Sequence, residues 1–361
     1  MPPLYVPILK GKEGEFAALS ELSDAVRDTI LPLIEVPRVP YDYVNERPTK
    51  TLDEHVAGVA DRLQRCWQDR PVYLDLPWFG ERENLENGIV AVRKVLGDCR
   101  NANVTAIPVI AGSSSPAYLA AVNEHLTECA NGLCIRLKEA DFDDEGDVEP
   151  RALVDRLLNA VGLTNLHQAD LILDLSNIGT DLGRATLAAR AVIGEVPREI
   201  EWRRLVLAAA SFPENLSDVG AATTTVLPRL EWALWERLQR RRVLRNNALF
   251  GDYAIAHPIA TELDPRTMRM SASIRYTTPE NWLIVKGRNV RQYGFDQYFE
   301  LARTLVALRE YSGEEFSWGD GFIARCARRE AGPGNATTWR KVGTNHHLTL
   351  VARSLANADA P

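Results

Sequence analysis

Charged residues end several apolar segments of this 361-residue sequence, and they are the residues best placed to do chemistry. An isolated charge among apolar neighbours costs several kcal/mol to remove from water, so stability alone would favour Val or Ile at these positions. We therefore expect the charges either to neutralise one another or to hold a ligand. The segments are YVPILK with Lys10, LIEV with Glu35, YLDL with Asp75, CIRL with Arg136 and ILDL with Asp174.

Three of these residues are carboxylates, which together suit a divalent cation. Glu35, Asp75 and Asp174 offer the oxygen ligands that Mg²⁺ or Mn²⁺ takes in proteins. Lys10 and Arg136 offer positive charge for a phosphate or a carboxylate of a substrate. This combination predicts a hydrolase of phosphodiester bonds, with the carboxylates and Lys10 as catalytic residues and Arg136 as a substrate-binding residue. The cofactor stays open, because no histidine lies at the end of the first seven apolar segments.

Two other interpretations of the same five residues remain. Lys10 alone, with its pKa lowered by Arg136, is a candidate base or Schiff-base amine. Alternatively, all five form an ion network that satisfies itself beneath loops and has only a structural role. If the charges do line a pocket, Lys12 and Glu15 border it, and we expect Lys12 to contact the substrate.

A second polar cluster lies near the end of the sequence, in TTWRKVGTNHHLTLVARS. Thr344 or Asn345 is a candidate helix N-cap, which would place His346 and His347 in the first turn of the helix. The unpaired N–H groups of a helix start favour an anion. We therefore predict His346 as a catalytic acid or base, and Arg340, Asn345 and His347 as substrate-binding residues. The alternative is a structural role for both histidines.

Basic and aromatic residues alternate in MRMSASIRYTT and NWLIVKGR, two segments separated by PE. The pattern predicts an antiparallel hairpin. Side chains of these two types on strands are suited to contact a nucleic-acid backbone and to stack on bases, so Lys286 is included among the substrate-binding residues. An ordinary half-exposed ribbon would show the same alternation.

These residues must be positioned by apolar strands that alternate with amphipathic helices. Eight such strands within residues 1–260 match the size of a (β/α)8 barrel, and the helices between them supply the crossovers that parallel strands need. We predict an α/β fold, a (β/α)8 TIM-like barrel, rather than a doubly wound open sheet, because no Gly-rich phosphate-binding motif follows the first strand. The strands are YVPILK, ILPLIEV, PVYLDL, VTAIPVI, GLCIRL, ADLILDL, RLVLAAASF and GDYAIAHP.

The alternation changes after Pro258, where the C-terminal β-hairpin and a helical elaboration follow. Residues 295–311, FDQYFELARTLVALREY, predict a strong helix, which we assign as the last helix of the barrel. We accordingly divide the chain into residues 1–260, with the barrel strands and most helices, and residues 261–361, with the hairpin, the last barrel helix and a tail that covers the barrel mouth.

Composition limits the classes of function. The net charge of −7 gives no overall positive field for nucleic acid or anionic membranes, although it allows a local basic groove. The five cysteines form no CxxC pair, which argues against a disulfide framework and a zinc site. The N-terminus lacks the pattern of a signal peptide, and no apolar run approaches membrane-spanning length. We expect a cytoplasmic protein with no membrane partner.

Several of these segments resemble the phage-related beta family of bacterial and phage proteins. The similar stretches are YVPILKGKEGEFAAL, LIEVP and YLDL, IRYT with W and IVKGR in the hairpin, and W followed by NHH near the end. The resemblance covers essentially the whole chain, and its most specific parts are the opening segment and Asn-His-His. It implies a role in antiviral defence, beside a nuclease-like protein encoded by a neighbouring gene. It assigns no reaction and no catalytic residue.

Three functions remain as hypotheses. The first is a phage-defence-associated barrel protein that binds a phosphate-bearing ligand, a nucleotide or a nucleic acid, at the barrel mouth and acts with a nuclease-like protein partner. The second is a hydrolase of phosphodiester bonds that uses a divalent cation such as Mg²⁺ or Mn²⁺. The third is a non-catalytic scaffold or immunity protein with a structural ring of charges.

Overall fold

The computed structural model describes residues 2–79, 85–138, 141, 150–196, 201–244, 248–259 and 270–358. Its strands are β1 (Tyr5–Leu9), β2 (Leu33–Glu35), β3 (Tyr41–Asp42), β4 (Arg47–Pro48), β5 (Val72–Asp75), β6 (Ala106–Ile110), β7 (Leu133–Lys138), β8 (Ala169–Asn177), β9 (Arg204–Ala210), β10 (Thr223–Pro228), β11 (Ala248–Asp252), β12 (Ser271–Thr277) and β13 (Asn281–Asn289). Its helices are α1 (Glu13–Ser20), α2 (Asp24–Arg27), α3 (Leu52–Ala57), α4 (Val59–Trp67), α5 (Ala91–Asn101), α6 (Pro116–Glu128), α7 (Pro150–Ala160), α8 (Leu182–Glu195), α9 (Leu230–Arg240), α10 (Val290–Tyr293), α11 (Gln297–Val306), α12 (Trp318–Ala327) and α13 (Ala336–Ala358).

Eight parallel strands close into a barrel in the order β1-β11-β9-β8-β7-β6-β5-β2. The closed barrel confirms the (β/α)8 prediction, and the open-sheet alternative is wrong. The strands are apolar almost throughout because both of their faces are covered. One set of side chains, which includes Ile8, Tyr73 and Val206, fills the barrel interior, while the other set packs against the helices outside.

All eight predicted strands are barrel strands, but the last one lies earlier in the chain than expected. The prediction began this strand at Gly251, whereas β11 runs from Ala248 to Asp252. Its register with β9 pairs Ala248 with Leu205 and Asp252 with Ala209. Asp252 therefore ends a barrel strand, whereas the predicted segment has it near its start.

The predicted hairpin is confirmed, and it belongs to a larger sheet. Strands β12 and β13 pair antiparallel, with Tyr276 opposite Leu283. Strand β10 adds to the other edge of β13 in a three-stranded sheet of order β10-β13-β12, with Thr223 opposite Lys286. The sequence TTTVLP of β10 was not predicted as a strand, because most of its side chains are exposed and it has no apolar face.

Helix α11, which is predicted as the last helix of the barrel, packs against the three-stranded sheet instead. Apolar residues of α11, such as Phe299 and Ala302, join the core of the three-stranded sheet with Ile274. Helix α13 packs against the barrel instead, where Leu348 and Val351 enter the main core. The proposed domain boundary at residue 260 lies outside the described residues. None of the helices in the described part of the chain has the length and apolar character needed to cross a membrane.

Candidate functional site: a closed ionic cluster beside a basic cleft

The five predicted charges converge at one end of the barrel. Lys10 follows β1, Glu35 ends β2 and Asp75 ends β5, while Arg136 and Asp174 lie in β7 and β8. All five are buried, and their strands run in the same direction, so the side chains meet near the carboxyl ends of the strands. We call these five residues and Tyr253, which follows β11, the mouth cluster.

Arg136 lies at the centre of the mouth cluster. Its Nη1 donates to Glu35 Oε1 and to Asp75 Oδ2, both at 2.7 Å. Its Nη2 donates to Asp174 Oδ2 and to the Tyr253 hydroxyl, again at 2.7 Å. The Tyr253 hydroxyl in turn donates to Asp174 Oδ2 at 2.6 Å. The guanidinium therefore bonds all three carboxylates as well as the tyrosine.

Lys10 completes the cluster on the side of β1. Its ammonium donates to Glu35 Oε2 and to the carbonyl oxygen of Pro258, and it lies 4.8 Å from the centroid of the Tyr253 ring. Glu35 thus receives hydrogen bonds from both cations. The mouth cluster is closed, because each of its charged groups has a partner of opposite charge.

The pKa values in the cluster follow from burial and from these partners. Burial favours neutral Glu35 and neutral Asp174. The partners together outweigh it, Arg136 and Lys10 at Glu35 and Arg136 and Tyr253 at Asp174, so both carboxyl pKa values are lowered. Burial outweighs Arg136 at Asp75 and raises its pKa. Burial also lowers the pKa of Lys10, although Glu35 opposes this shift. The ionised forms of Glu35 and Asp174 are therefore stabilised in the cluster, whereas burial disfavours the ionised forms of Asp75 and Lys10.

The structure does not support the predicted metal ligands Glu35, Asp75 and Asp174. The guanidinium of Arg136 lies among the three carboxylates and bonds each of them. Over the described residues, no group of three or more His, Cys, Asp or Glu side chains is arranged to hold a metal ion. The sequence does not reveal this arrangement, because either a metal ion or an arginine side chain is able to lie between converging carboxylates.

A cleft of about 660 Å³ lies beside the mouth cluster. Among the described residues, five cations line it but only two carboxylates, Glu15 and Glu214. Apolar side chains form another part of its wall, including Leu216, Ile255, Ile259 and Met270. The cations are Lys10, Lys12, Arg275, Lys286 and Arg340, so four predicted site residues are brought to one cleft.

Arg275 and Arg340, which we call the arginine pair, come from β12 and α13. Two glycines allow the close packing that positions them. A Cβ at Gly343 would lie 2.9 Å from the carbonyl oxygen of Arg275, and a Cβ at Gly14 would lie 2.9 Å from the Cβ of Arg340. Helix α13 is therefore held tightly against both β12 and α1.

Within the described part of the chain, the arginine pair lacks the counter-charges that surround Arg136. Arg275 donates to the carbonyl oxygen of Ile255 at 2.8 Å and lies over the ring of Phe212, 4.7 Å from its centroid. Among the described residues, neither Arg275 nor Arg340 forms an ion pair with a carboxylate. Burial, and then the positive charge of Arg340, lower the pKa of Arg275 below its ordinary value.

The two lysines that were predicted to bind substrate differ in their surroundings. Lys286 is buried and donates to the carbonyl oxygens of Leu216 and Val219, both at 2.6 Å. It therefore holds the loop that forms one wall of the cleft. Lys12 is exposed at the start of α1, where its backbone N–H donates to Glu15 at 3.2 Å.

His346 does not lie in the cleft, and its predicted place in the first turn of a helix is wrong. Helix α13 begins at Ala336, so this residue lies in the middle of it. Its Nδ1 lies 2.8 Å from Asp320 Oδ2, its Nε2 lies 2.7 Å from the carbonyl oxygen of Thr277, and its ring stacks on Tyr276. These contacts are between fully buried groups, so they connect α12, α13 and β12.

Asn345 and His347 are also buried in the middle of α13. The Asn345 side chain accepts from the N–H of Gly319 at 2.9 Å and donates to the carbonyl oxygen of Ala18 at 3.1 Å. His347 Nε2 lies 2.8 Å from Asp252 Oδ2, and its pKa is lowered by burial. Neither residue lines the cleft, and both connect α13 to other parts of the fold.

Sequence reasoning missed two residues at the end of β11. Tyr253 belongs to the mouth cluster, and Asp252 accepts from the Tyr5 hydroxyl at 2.5 Å as well as contacting His347. A prediction that began the last strand three residues earlier would have placed Asp252 and Tyr253 at its carboxyl end. Asp75 and Asp174 lie at the corresponding ends of their own strands. The half-buried position of Arg275 beside Arg340 had no comparable signal in the sequence.

Comparison with known proteins gives two matches that span nearly the whole chain. A family model described as Beta protein matches residues 5–353. Protein beta of Enterobacteria phage P4 is 21% identical over 356 residues, which cover 95% of this chain and 91% of the phage protein. The matched region includes the mouth cluster and every residue that lines the cleft.

Proposed function

This chain belongs to the Beta protein family, and we propose that it binds a phosphate-bearing ligand, a nucleotide or a nucleic-acid strand, in the cleft beside the barrel mouth. The observation on which this depends is the arginine pair. Both residues line the same cleft without a carboxylate partner among the described residues, and the charge of Arg340 disfavours that of Arg275. A bound phosphate would remove that cost and form charge-assisted hydrogen bonds with both guanidinium groups.

The size and lining of the cleft support a nucleotide unit rather than a bare anion. Its volume of about 660 Å³ falls within the range of roughly 300–1,000 Å³ that is usual for ligand pockets. Leu216, Ile255 and Met270 offer an apolar surface for a base, while the arginine pair offers charge for a phosphate. Lys12 adds charge at the exposed rim.

Binding measurements on variants of the arginine pair test the proposal. We expect ADP and a short 5′-phosphorylated single-stranded oligonucleotide to bind the wild type, and inorganic phosphate to compete. Arg275→Gln and Arg340→Gln should each weaken binding by about tenfold or more, because each removes a charge-assisted contact. Calorimetry or fluorescence anisotropy at fixed ionic strength measures the change.

Arg241→Gln is the matched control, because Arg241 is exposed at the end of α9 and does not line the cleft. It should leave the affinity unchanged. Equal affinity in all three variants and the wild type, or no binding of any phosphate compound, would remove the proposal. A steep fall in oligonucleotide affinity with salt, without a matching fall for ADP, would favour the nucleic acid.

We also propose the defence role and the nuclease-like partner that the family resemblance implies. The similarity to a protein of phage P4 supports the connection with phage. Purification of the tagged protein from its own host, followed by mass analysis of bound proteins, tests the partner. The proposal fails if no second protein is retained at a constant ratio.

One observation favours a second candidate, the non-catalytic scaffold or immunity protein. The carboxylates that were predicted to be catalytic are buried and bonded to Arg136. Cellular activity that survives Arg275→Gln and Arg340→Gln together, in a protein that remains folded, would support the scaffold over the ligand-binding function.

A further inference from the structure

Lys10 connects the two regions of the site. Of the six residues in the mouth cluster, it is the one that also lines the cleft. Its ammonium is held against Glu35 and Pro258 at the end of β1, so the amine has a fixed position beside the cavity. The other lysine of the cleft wall that is buried, Lys286, gives two hydrogen bonds to backbone carbonyls.

The surroundings of Lys10 suit an amine that loses its proton to react. It is 6% exposed, and burial disfavours its charged form. Glu35 receives a hydrogen bond from it and is therefore placed to take the proton. Glu35 also bonds Arg136, so its negative charge is shared between two cations.

We propose that Lys10 forms an imine with the aldehyde of a sugar phosphate whose phosphate is bound by the arginine pair. This inference rests on the proposed function and adds the chemical class of the ligand. A phosphate held in the cleft would bring the aldehyde of the same molecule to the amine, which replaces a bimolecular encounter with a positioned one. Lysine amines are the groups that react with carbonyl compounds in this way.

The reaction balances with the groups of the site. Glu35 takes a proton from the Lys10 ammonium, and the free Nζ attacks the carbonyl carbon to form an N–C bond. A proton moves from nitrogen to the former carbonyl oxygen, which gives a carbinolamine. Glu35 then returns its proton to the hydroxyl group, the C–O bond breaks and water leaves. The products are the protonated imine and one water molecule.

Two sources share this chemistry. One is a free sugar phosphate in its open-chain form, and the other is the ring-opened sugar at an abasic position of a nucleic-acid strand. Ribose 5-phosphate and a single-stranded oligonucleotide with one abasic position are the two probes. Each is mixed with the full-length protein, sodium borohydride reduces any imine to a stable amine, and peptide mass analysis locates the modified lysine.

We expect a covalent adduct at Lys10 with at least one probe. Ribose without phosphate at the same concentration should modify Lys10 at least about tenfold less, because it lacks the contacts with the arginine pair. Arg275→Gln should lower the modification by a similar factor, whereas Arg241→Gln should not change it. Lys94, which is paired with Asp98 on the surface, is the internal measure of non-specific modification.

Lys10→Met and Lys10→Arg should abolish the adduct while thermal unfolding confirms that each variant is folded. Modification of Lys94 to the same extent as Lys10, or none at Lys10 with either probe, overturns the proposal. If the wild type still binds ADP or phosphate in that case, the proposal of an imine fails and the proposal of phosphate binding stands. If no phosphate compound binds, the proposed function fails as well.

Discussion

The mouth cluster has a buried arginine and the arginine pair has two half-buried ones, and the two neighbouring regions differ in what surrounds the positive charge. Arg136 bonds three carboxylates, whereas Arg275 bonds one backbone carbonyl and has Arg340 nearby. Ionic groups that balance one another contribute to the fold, while cations without counter-charges are suited to an anion from outside. Burial of charge by itself therefore does not mark a ligand site, and the missing counter-charge is the better indicator.

The largest effect is expected from Arg136→Met. The substitution leaves Glu35, Asp75 and Asp174 without their shared partner, and removal of one member of a buried ion pair costs about 3–5 kcal/mol. The free energy of unfolding, measured by urea denaturation, should fall by that amount or the variant should not fold. Arg241→Gln should stay within about 0.5 kcal/mol of the wild type. A loss below about 1 kcal/mol would mean that the cluster does not support the fold.

Acid should weaken the mouth cluster through Glu35 and Asp174. Their folded-state pKa values lie below the ordinary values of 4.5 and 3.8, so the stability that they contribute is present above those values. It is lost as the pH falls through the lowered pKa values, so the free energy of unfolding should decrease with acid. Unfolding free energies between pH 5 and pH 3 measure the slope.

Glu35→Gln is the variant that tests this assignment, because the amide does not titrate. Its free energy of unfolding should fall less steeply with acid than that of the wild type. Equal slopes in both proteins would show that other carboxylates cause the acid dependence, with Asp252 and Asp320 as the next candidates because their pKa values are also lowered.

The smallest effect is expected from Arg275→Gln on stability. Removing this cation also removes its repulsion from Arg340, and the glutamine amide is able to donate to the carbonyl of Ile255. We expect the free energy of unfolding to change by less than about 1 kcal/mol, in contrast to Arg136→Met. A loss of more than about 3 kcal/mol would show that Arg275 has a structural role of the same kind as Arg136.

Much of the fold and part of the site could be predicted from the sequence. The apolar strands and their crossovers predicted the barrel, and the shared position of Lys10, Glu35 and Asp75 at strand ends predicted that they would meet. The start of α13 was predicted wrongly, because the Asn-His-His segment has the residue types of a helix cap, although these side chains bond to groups that are distant in sequence.

By itself, the sequence determined the alternation of strands and helices, because hydrophobic burial imposes a local period that is visible in the order of residues. It also determined which charges lie at the strand ends. Only the tertiary structure decided which of these charges balance one another, because an ion pair depends on distances between residues as far apart in the chain as Glu35 and Arg136. The same holds for the cleft, where packing of α13 against β12 and α1 brings Arg275 and Arg340 together without a carboxylate partner among the described residues.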